Sequence, residues 1–188
     1  MLSVGFKPAN ISDEFLSAIG SVTVEFAMLE YQIESAIWSL LGLTTPENQA
    51  VGKTITTDLT FHPRLNLLGA LLQLQFPRYD EHELGLKRLI ADIRKRAKMR
   101  NLIVHSIWDI SEEEGKVRRI KTTAHGKPPR TKSVKLSAND ISLIAAGIRA
   151  ATRGLINLHV ALAPNPILES PRGDSDARPK KTRDRRKP

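Results

Sequence analysis

The sequence of 188 residues contains no cysteine, which excludes disulfides, thiolate chemistry and cysteine-ligated zinc. Aromatic residues are also scarce, at 5% of the chain. We therefore expect an aliphatic core built from Leu, Ile, Val and Ala. This composition favours helices over a β-sandwich, because strands are enriched in aromatic and β-branched residues.

Long apolar runs are missing as well. The N-terminus has no apolar stretch of signal-peptide length, and no later run reaches the length of a membrane span. We therefore expect a cytoplasmic protein. Histidines and carboxylates do not cluster at the spacing of metal ligands, so the sequence predicts no metal and no cofactor.

Positive charge is abundant, with a net charge of +9. The segment 164–188 contains 8 Lys/Arg and 4 Asp/Glu, which leaves 21 Lys/Arg against 16 Asp/Glu in residues 1–163. Both parts are basic, and an anionic partner such as nucleic acid is expected. Segment 164–188 is rich in proline and charge, and is predicted to be a disordered tail beyond a single domain of residues 1–163.

Apolar residues recur at helical spacing in four segments. They run from Ser12 to near Gly42, from about Pro63 to Pro77, from about Glu81 to the neighbourhood of Ile107, and from Ser137 to near Pro164. Residues 44–60 read as a connection with at most a short helical turn. The sequence thus predicts an all-α fold of four helices, the first of them long.

A strand-like alternation interrupts this pattern between the third and fourth helices. The segments "SIWDI", "KVRRIKT" and "TKSVKLS" alternate apolar and polar residues, and "EEEG" is typical of a turn. They predict a β-hairpin or three-stranded ribbon at about residues 106–136. The ribbon is basic, because residues 116–135 include eight Lys/Arg and no acid.

The third predicted helix ends in an unusual way. Seven Lys/Arg and one Asp lie between Lys87 and Arg100, and Arg100 occupies the apolar stripe that faces the core. His105 follows five positions later, about 140° around an ideal helix. A site that uses both side chains needs the reach of arginine, a distorted helix end or a second subunit. The alternative is a solvated basic face, with Arg100 in an internal ion pair and His105 capping the helix end.

Arg100, Asn101 and His105, in "RNLIVH", resemble the R-x4-6-H motif of the HEPN superfamily. The resemblance covers the helical body, and it implies an up-and-down four-helix HEPN-like bundle that forms a homodimer, with two motifs meeting in one cleft. Many HEPN domains are metal-independent endoribonucleases that act as toxins of toxin–antitoxin pairs or in defence against phage, and others are not catalytic. Some carry a tyrosine two positions after the histidine as a modification site, and here that position is Ile107.

The resemblance assigns roles to these residues. His105 would act as general base or acid on the RNA 2′-hydroxyl or the leaving 5′-oxygen, since an imidazole exchanges protons near neutral pH. Arg100 would hold the scissile phosphate, and Asn101 would orient the phosphate or the histidine. Cleavage would leave a 2′,3′-cyclic phosphate. Some HEPN sites include an acid from another helix, for which the first helix offers Glu25, Glu30 and Glu34.

Cations beside this motif are candidate contacts for RNA phosphates. They are Arg96, Lys98, Lys116, Arg118, Arg119 and Lys121. No aromatic residues are interleaved with the ribbon cations, so phosphate contact is expected without base stacking.

Three functions remain open from the sequence. The first is a HEPN-type endoribonuclease, with RNA as its substrate and an antitoxin protein as a possible partner. The second is a HEPN-like module that binds RNA or a nucleotide without cutting it. The third is an interaction protein whose basic tail contacts nucleic acid or a membrane surface.

Overall fold

The computed structural model describes residues 11–75, 80–123 and 130–162, which contain five helices and three strands. In chain order these are α1 (Asp13–Leu40), α2 (Pro46–Thr57), α3 (Phe61–Gln75), α4 (Asp80–Val104), β1 (Ile107–Ile110), β2 (Lys116–Thr123), β3 (Arg130–Ser137) and α5 (Ala138–Leu162). The predicted tail, 164–188, lies outside the described residues.

The fold is mostly helical, as the sequence predicts, but the count of four helices is wrong for the described residues. The additional helix is α2, which occupies the segment predicted as a connection. Its sequence, PENQAVGKTITT, has no apolar stripe, and its buried residues are Gly52 and Thr56. Periodicity of large apolar residues therefore cannot reveal this helix.

The extra helix changes the relative direction of the others. Glu25 of α1 pairs with Arg149 of α5, and further along both helices Trp38 and His159 line one cavity. Helices α1 and α5 therefore run parallel, whereas the first and last helices of a simple four-helix up-and-down bundle run antiparallel. The four-helix bundle of the sequence prediction is accordingly not confirmed.

Helix α1 lies at the centre and contacts each of the other four helices. It begins after Ser12, whose extended backbone precedes two acids in the first turn, Asp13 and Glu14, where the helix dipole favours negative charge. It ends before Gly42, which has a φ of 70°. The predicted stripe is buried, and the fully buried large side chains of α1 are Val22, Leu29, Ile33 and Ile37.

The predicted ribbon is confirmed as an antiparallel sheet in the order β1-β2-β3. Gly115, in the predicted "EEEG" turn between β1 and β2, has a φ of 71°, a conformation that glycine adopts without strain. Val117 and Trp108 lie on the face of the sheet that packs against the helical core. The ribbon is thus held to the helices at the end of α4 and the start of α5.

A capping box begins the last helix. The amide of Asp140 donates to Ser137 Oγ at 3.1 Å, and the hydroxyl and amide of Ser137 donate to the Asp140 carboxylate at 2.7 and 2.9 Å. The hydrogen bond from the Ser137 hydroxyl, followed by that from its amide, lowers the pKa of Asp140. By length and composition, Ala138–Val160 would suffice to cross a membrane, so the expectation that no run reaches the length of a membrane span is wrong by that criterion. Its apolar stripe packs in the core against α1, as the stripe of a core helix does.

Helix α2 is fixed to α1 by close approach at a glycine. A Cβ on Gly52 would stand 2.8 Å from Cδ1 of the Trp38 ring. The Trp38 indole N–H also donates to Thr56 Oγ1 at 3.2 Å. The absence of a side chain at position 52 therefore lets the helix lie against the indole.

We expect Gly52→Ala to destabilise the protein by about 1–3 kcal/mol, because a rigid ring must move to admit the methyl group. Gly20→Ala is the matched control, since nothing lies within 4 Å of a Cβ at that helical position. Alanine there should stabilise the fold by up to about 1 kcal/mol through helix propensity. Urea denaturation followed by circular dichroism measures both, and the same sign for the two variants would contradict this account of α2.

Candidate active site

The three motif residues lie together at the end of α4, within one chain. Arg100 Nη1 donates to Asn101 Oδ1 at 3.0 Å and lies 3.5 Å from His105 Nε2. The helix ends at Val104, and His105 stands in the following turn with its amide bonded to the Asn101 carbonyl at 3.2 Å. The length of the arginine side chain thus overcomes the 140° separation within one chain, without a second subunit.

The guanidinium of Arg100 rests on an aromatic ring of α1. Its Cζ lies 4.9 Å from the centroid of Phe26, within the range of a cation–π interaction. Phe26 is 3% exposed and packs against Phe61 of α3, with ring centroids 5.0 Å apart. The core therefore positions the arginine. Phe26 belongs to the apolar stripe of α1, and the sequence carries no signal for this second role.

Arg100 is incompletely satisfied in this arrangement. Its Nε is buried and has no hydrogen-bond partner within the described part of the chain. An unpaired buried donor costs about 1–3 kcal/mol. Arg64 Nε and Arg118 Nε are unpaired in the same way, so this feature by itself does not distinguish Arg100. Neither a carboxylate nor a backbone carbonyl bonds to the guanidinium among the described residues, so the internal ion pair considered from the sequence is not formed there.

His105 is exposed, so a substrate can reach its ring. Arginine only donates hydrogen bonds, so Nε2 can accept from Arg100 across this 3.5 Å contact in the imidazole tautomer that carries its proton on Nδ1. A neutral ring beside a fixed positive charge is suited to remove a proton from a hydroxyl, while the guanidinium holds an anion.

Two of the three acids on α1 already have partners elsewhere. Glu25 accepts from Arg149 Nε at 2.8 Å, and Glu34 pairs with Arg64 Nη1 at 2.6 Å. Glu30 is half-buried and, among the described residues, has no ion pair. None of these glutamates contacts Arg100 or His105 in the described part of the molecule.

The cations predicted to contact RNA from α4 differ in availability. Arg96 pairs with Asp92 at 3.1 Å and lies against Gly147 of α5, where a Cβ would meet its Nη1 at 2.2 Å. Lys98 is exposed. Arg96 is therefore paired within α4 and covered in part by α5, and Lys98 is the freer of the two.

The cations of the ribbon also differ in whether they are free to contact RNA. Arg118 pairs with Asp109 at 2.6 Å, and Lys116 pairs with Glu113. Arg119 is only 8% exposed and points at the end of α4, where it donates to the Leu102 carbonyl at 3.4 Å. This hydrogen bond goes to the last turn of α4, whose backbone carbonyls have no partner within the helix. The position of Arg119 therefore does not support the expectation that it contacts RNA.

Lys121 is the remaining predicted ribbon cation, and it forms no ion pair within the described residues. Lys132 lies directly opposite it on β3, and Arg130 follows at the end of that strand. Sequence analysis counted these two residues among the ribbon cations but did not single them out. Strand register, which the sequence fixes only loosely, is the signal that distinguishes them.

The described residues contain no group of three or more His, Asp or Glu that could hold a metal ion. The histidines outside the motif do not join the site. His62 is exposed and lies edge-on to Phe61, and His159 is half-buried in another cavity, where desolvation lowers its pKa.

The chain was compared with models of protein families, with curated proteins and with solved structures. None of the three comparisons finds a match.

Proposed function

We propose that this protein is an endoribonuclease of HEPN type that cleaves RNA without a metal ion. The observation that carries the proposal is the cluster of Arg100, Asn101 and His105 at one exposed helix end, with 3.5 Å between guanidinium and imidazole. A phosphate bound by the guanidinium would lie beside a proton acceptor. Those are the two functions that transesterification of RNA requires.

In the proposed reaction, the 2′-oxygen of a ribose attacks the adjacent phosphorus atom. His105 accepts the proton of the 2′-hydroxyl as the new O–P bond forms. Arg100 stabilises the additional negative charge on the phosphate, and Asn101 keeps the guanidinium in place through its 3.0 Å hydrogen bond. The bond from phosphorus to the 5′-oxygen then breaks and this oxygen takes up a proton. The products end in a 2′,3′-cyclic phosphate and a 5′-hydroxyl.

The leaving 5′-oxygen needs a proton, and one imidazole cannot act as base and acid in the same step. We therefore include a homodimer in the proposal, in which His105 of a second copy supplies the acid. The exposure of His105 is compatible with a groove shared between two copies. The proposed biological setting is the cytoplasm, where the protein acts as a toxin or defence effector held in check by an antitoxin protein.

The proposal relates the fold to the HEPN family through four of the five helices. In the proposal, α1, α3, α4 and α5 form the HEPN-like bundle: α1 contacts the other three, and α4 contacts α3 and α5. Helix α2 is added after α1, and the parallel direction of α1 and α5 is a departure from an up-and-down order. Support for this relation comes from the end of α4 and its basic surroundings. The second candidate, an RNA-binding module that does not cut, is favoured by the same basic surface and differs only in activity.

The test is cleavage of a single-stranded RNA by purified protein in the presence of EDTA. We expect cleavage, and we expect products that end in 2′,3′-cyclic phosphate and 5′-hydroxyl when they are analysed by mass spectrometry. Arg100→Ala should be folded and inactive, because the phosphate would lose the guanidinium that is proposed to hold it. Cleavage that requires added magnesium, or equal activity in Arg100→Ala, would refute the mechanism. RNA binding without cleavage would favour the second candidate.

A further inference from the structure

The charges of the ribbon are neutralised at one end of the sheet and not at the other. At the end next to α5, Glu113 pairs with both Lys116 and Lys135, and Asp109 pairs with Arg118. These hydrogen bonds lower the pKa of both carboxyl groups. The near end of the ribbon therefore has little free positive charge.

At the far end, three cations remain without an ion pair in the described part of the chain. They are Lys121, Arg130 and Lys132. Lys121 and Lys132 are directly opposite each other on β2 and β3, so their Cβ atoms lie on the same face about 5 Å apart. Like charges in this arrangement destabilise a sheet. A bound anion between them would remove that repulsion.

The far end is also the end at which His105 stands. Strand β1 begins at Ile107, opposite Ile120, so the chain enters the sheet from the end of α4 next to the position of Lys121, and His105 stands two residues before this strand. Arg119 Nη1 lies 3.4 Å from both the Leu102 carbonyl and Ser106 Oγ, so the face of β2 that carries Arg119 is directed at the end of α4. Lys121, two positions further along β2, projects from the same face. Since adjacent strands are about 4.8 Å apart, Lys132 on β3 lies roughly 10 Å from the line of β1.

The charged pair and its neighbouring pair lie on opposite faces of the sheet. Thr122 and Thr131, whose hydroxyls lie 3.0 Å apart, project from the face opposite Lys121 and Lys132, because side chains alternate along a strand. The described residues of β2 and β3 at this end include no aromatic side chain on which a base could stack. Contact with an RNA strand would therefore be made through charge, with little dependence on base sequence.

We propose that Lys121 and Lys132, with Arg130 beside them, bind phosphates of a single-stranded RNA on one side of the scissile bond. This inference rests on the proposed function, because it takes the bond to lie at His105. It assigns the RNA path across the far end of the sheet, and it removes Lys116, Arg118 and Arg119 from that path.

The experiment measures RNA binding in a chain that carries His105→Ala, so that cleavage does not interfere. A short fluorescein-labelled single-stranded RNA is titrated with the Lys121→Gln/Lys132→Gln variant, with fluorescence anisotropy as the readout. We expect at least a tenfold lower affinity near physiological salt. The slope of log affinity against log salt should also fall by about 0.7 for each lysine removed. The matched control is Lys116→Gln/Lys135→Gln, which removes the same charge from the neutralised end and should change affinity by less than about threefold.

The outcomes separate this inference from the proposed function. An equal loss in both double variants would overturn the assigned path, since only total charge would then matter. The absence of RNA binding, or binding to anionic phosphatidylserine vesicles in its place, would overturn it as well. If the affinity loss is specific to Lys121 and Lys132 but wild-type protein does not cleave RNA, the path stands and the nuclease proposal fails. If wild-type protein cleaves RNA but Lys121→Gln/Lys132→Gln leaves RNA binding unchanged, the nuclease proposal stands and the assigned path fails.

Discussion

His105→Ala should lower the rate of RNA cleavage by about a thousandfold, within the range for loss of a positioned general acid or base. The imidazole is exposed and stands 3.5 Å from a guanidinium that is itself fixed by Phe26 and Asn101. Its removal takes away proton transfer and leaves phosphate binding in place. The affinity for uncleaved RNA should therefore change far less than the rate, and single-turnover cleavage with anisotropy measures the two quantities.

The control for this result is His62→Ala. His62 is also exposed, and two aromatic rings, Phe61 and Phe26, separate it from Arg100. This variant should keep the cleavage rate of wild type within about threefold. Comparable losses of cleavage rate in both variants would show that the assignment of His105 as the proton acceptor is wrong. Retention of activity in His105→Ala would show that another group accepts the proton.

Leu29→Ala should destabilise the protein by about 3 kcal/mol, and lower the melting temperature by roughly 10 °C. Leu29 is 0% exposed on the central helix α1, so truncation removes apolar contact and leaves a cavity that the neighbouring helices cannot fully close. Thermal denaturation followed by circular dichroism measures the change.

Met28→Ala is the matched control for Leu29→Ala, because the two residues are adjacent on α1 but about 100° apart around the helix, so that one is buried and the other exposed. Met28 is 51% exposed, and its truncation should cost less than about 1 kcal/mol. A large loss in Met28→Ala at low protein concentration would contradict the orientation of α1.

Much of the fold could be predicted because local signals and tertiary packing agree. The stripe of α1, the strand alternation of the ribbon and the capping box at Ser137 each have a short-range cause that the tertiary structure retains. Helix α2 could not be predicted in this way. Its packing depends on Gly52 approaching Trp38, and an apolar pattern does not record the absence of a side chain.

The candidate site could likewise be predicted from the sequence only in part. Arg100, Asn101 and His105 are close in sequence, so a motif could nominate them. Their actual distances depend on where α4 ends and on support from Phe26, which is 74 positions away from Arg100 in the chain and becomes a neighbour only on folding. Arg118 and Arg119 are adjacent and chemically identical, and strand alternation sends one to an ion pair and the other to the interior.

Both edge strands of the sheet have features that disfavour pairing with another sheet. Strand β1 has only four residues, and the amide of Ile110 is occupied by the Asp109 side chain at 2.9 Å. At the opposite border, β3 bears Arg130, Lys132 and Lys135, and a second copy of this strand would be repelled. Short and charged borders are the means by which natural sheets avoid edge-to-edge aggregation. Replacement of β3 lysines by neutral residues therefore weakens a safeguard of solubility, and such variants are best handled at low concentration.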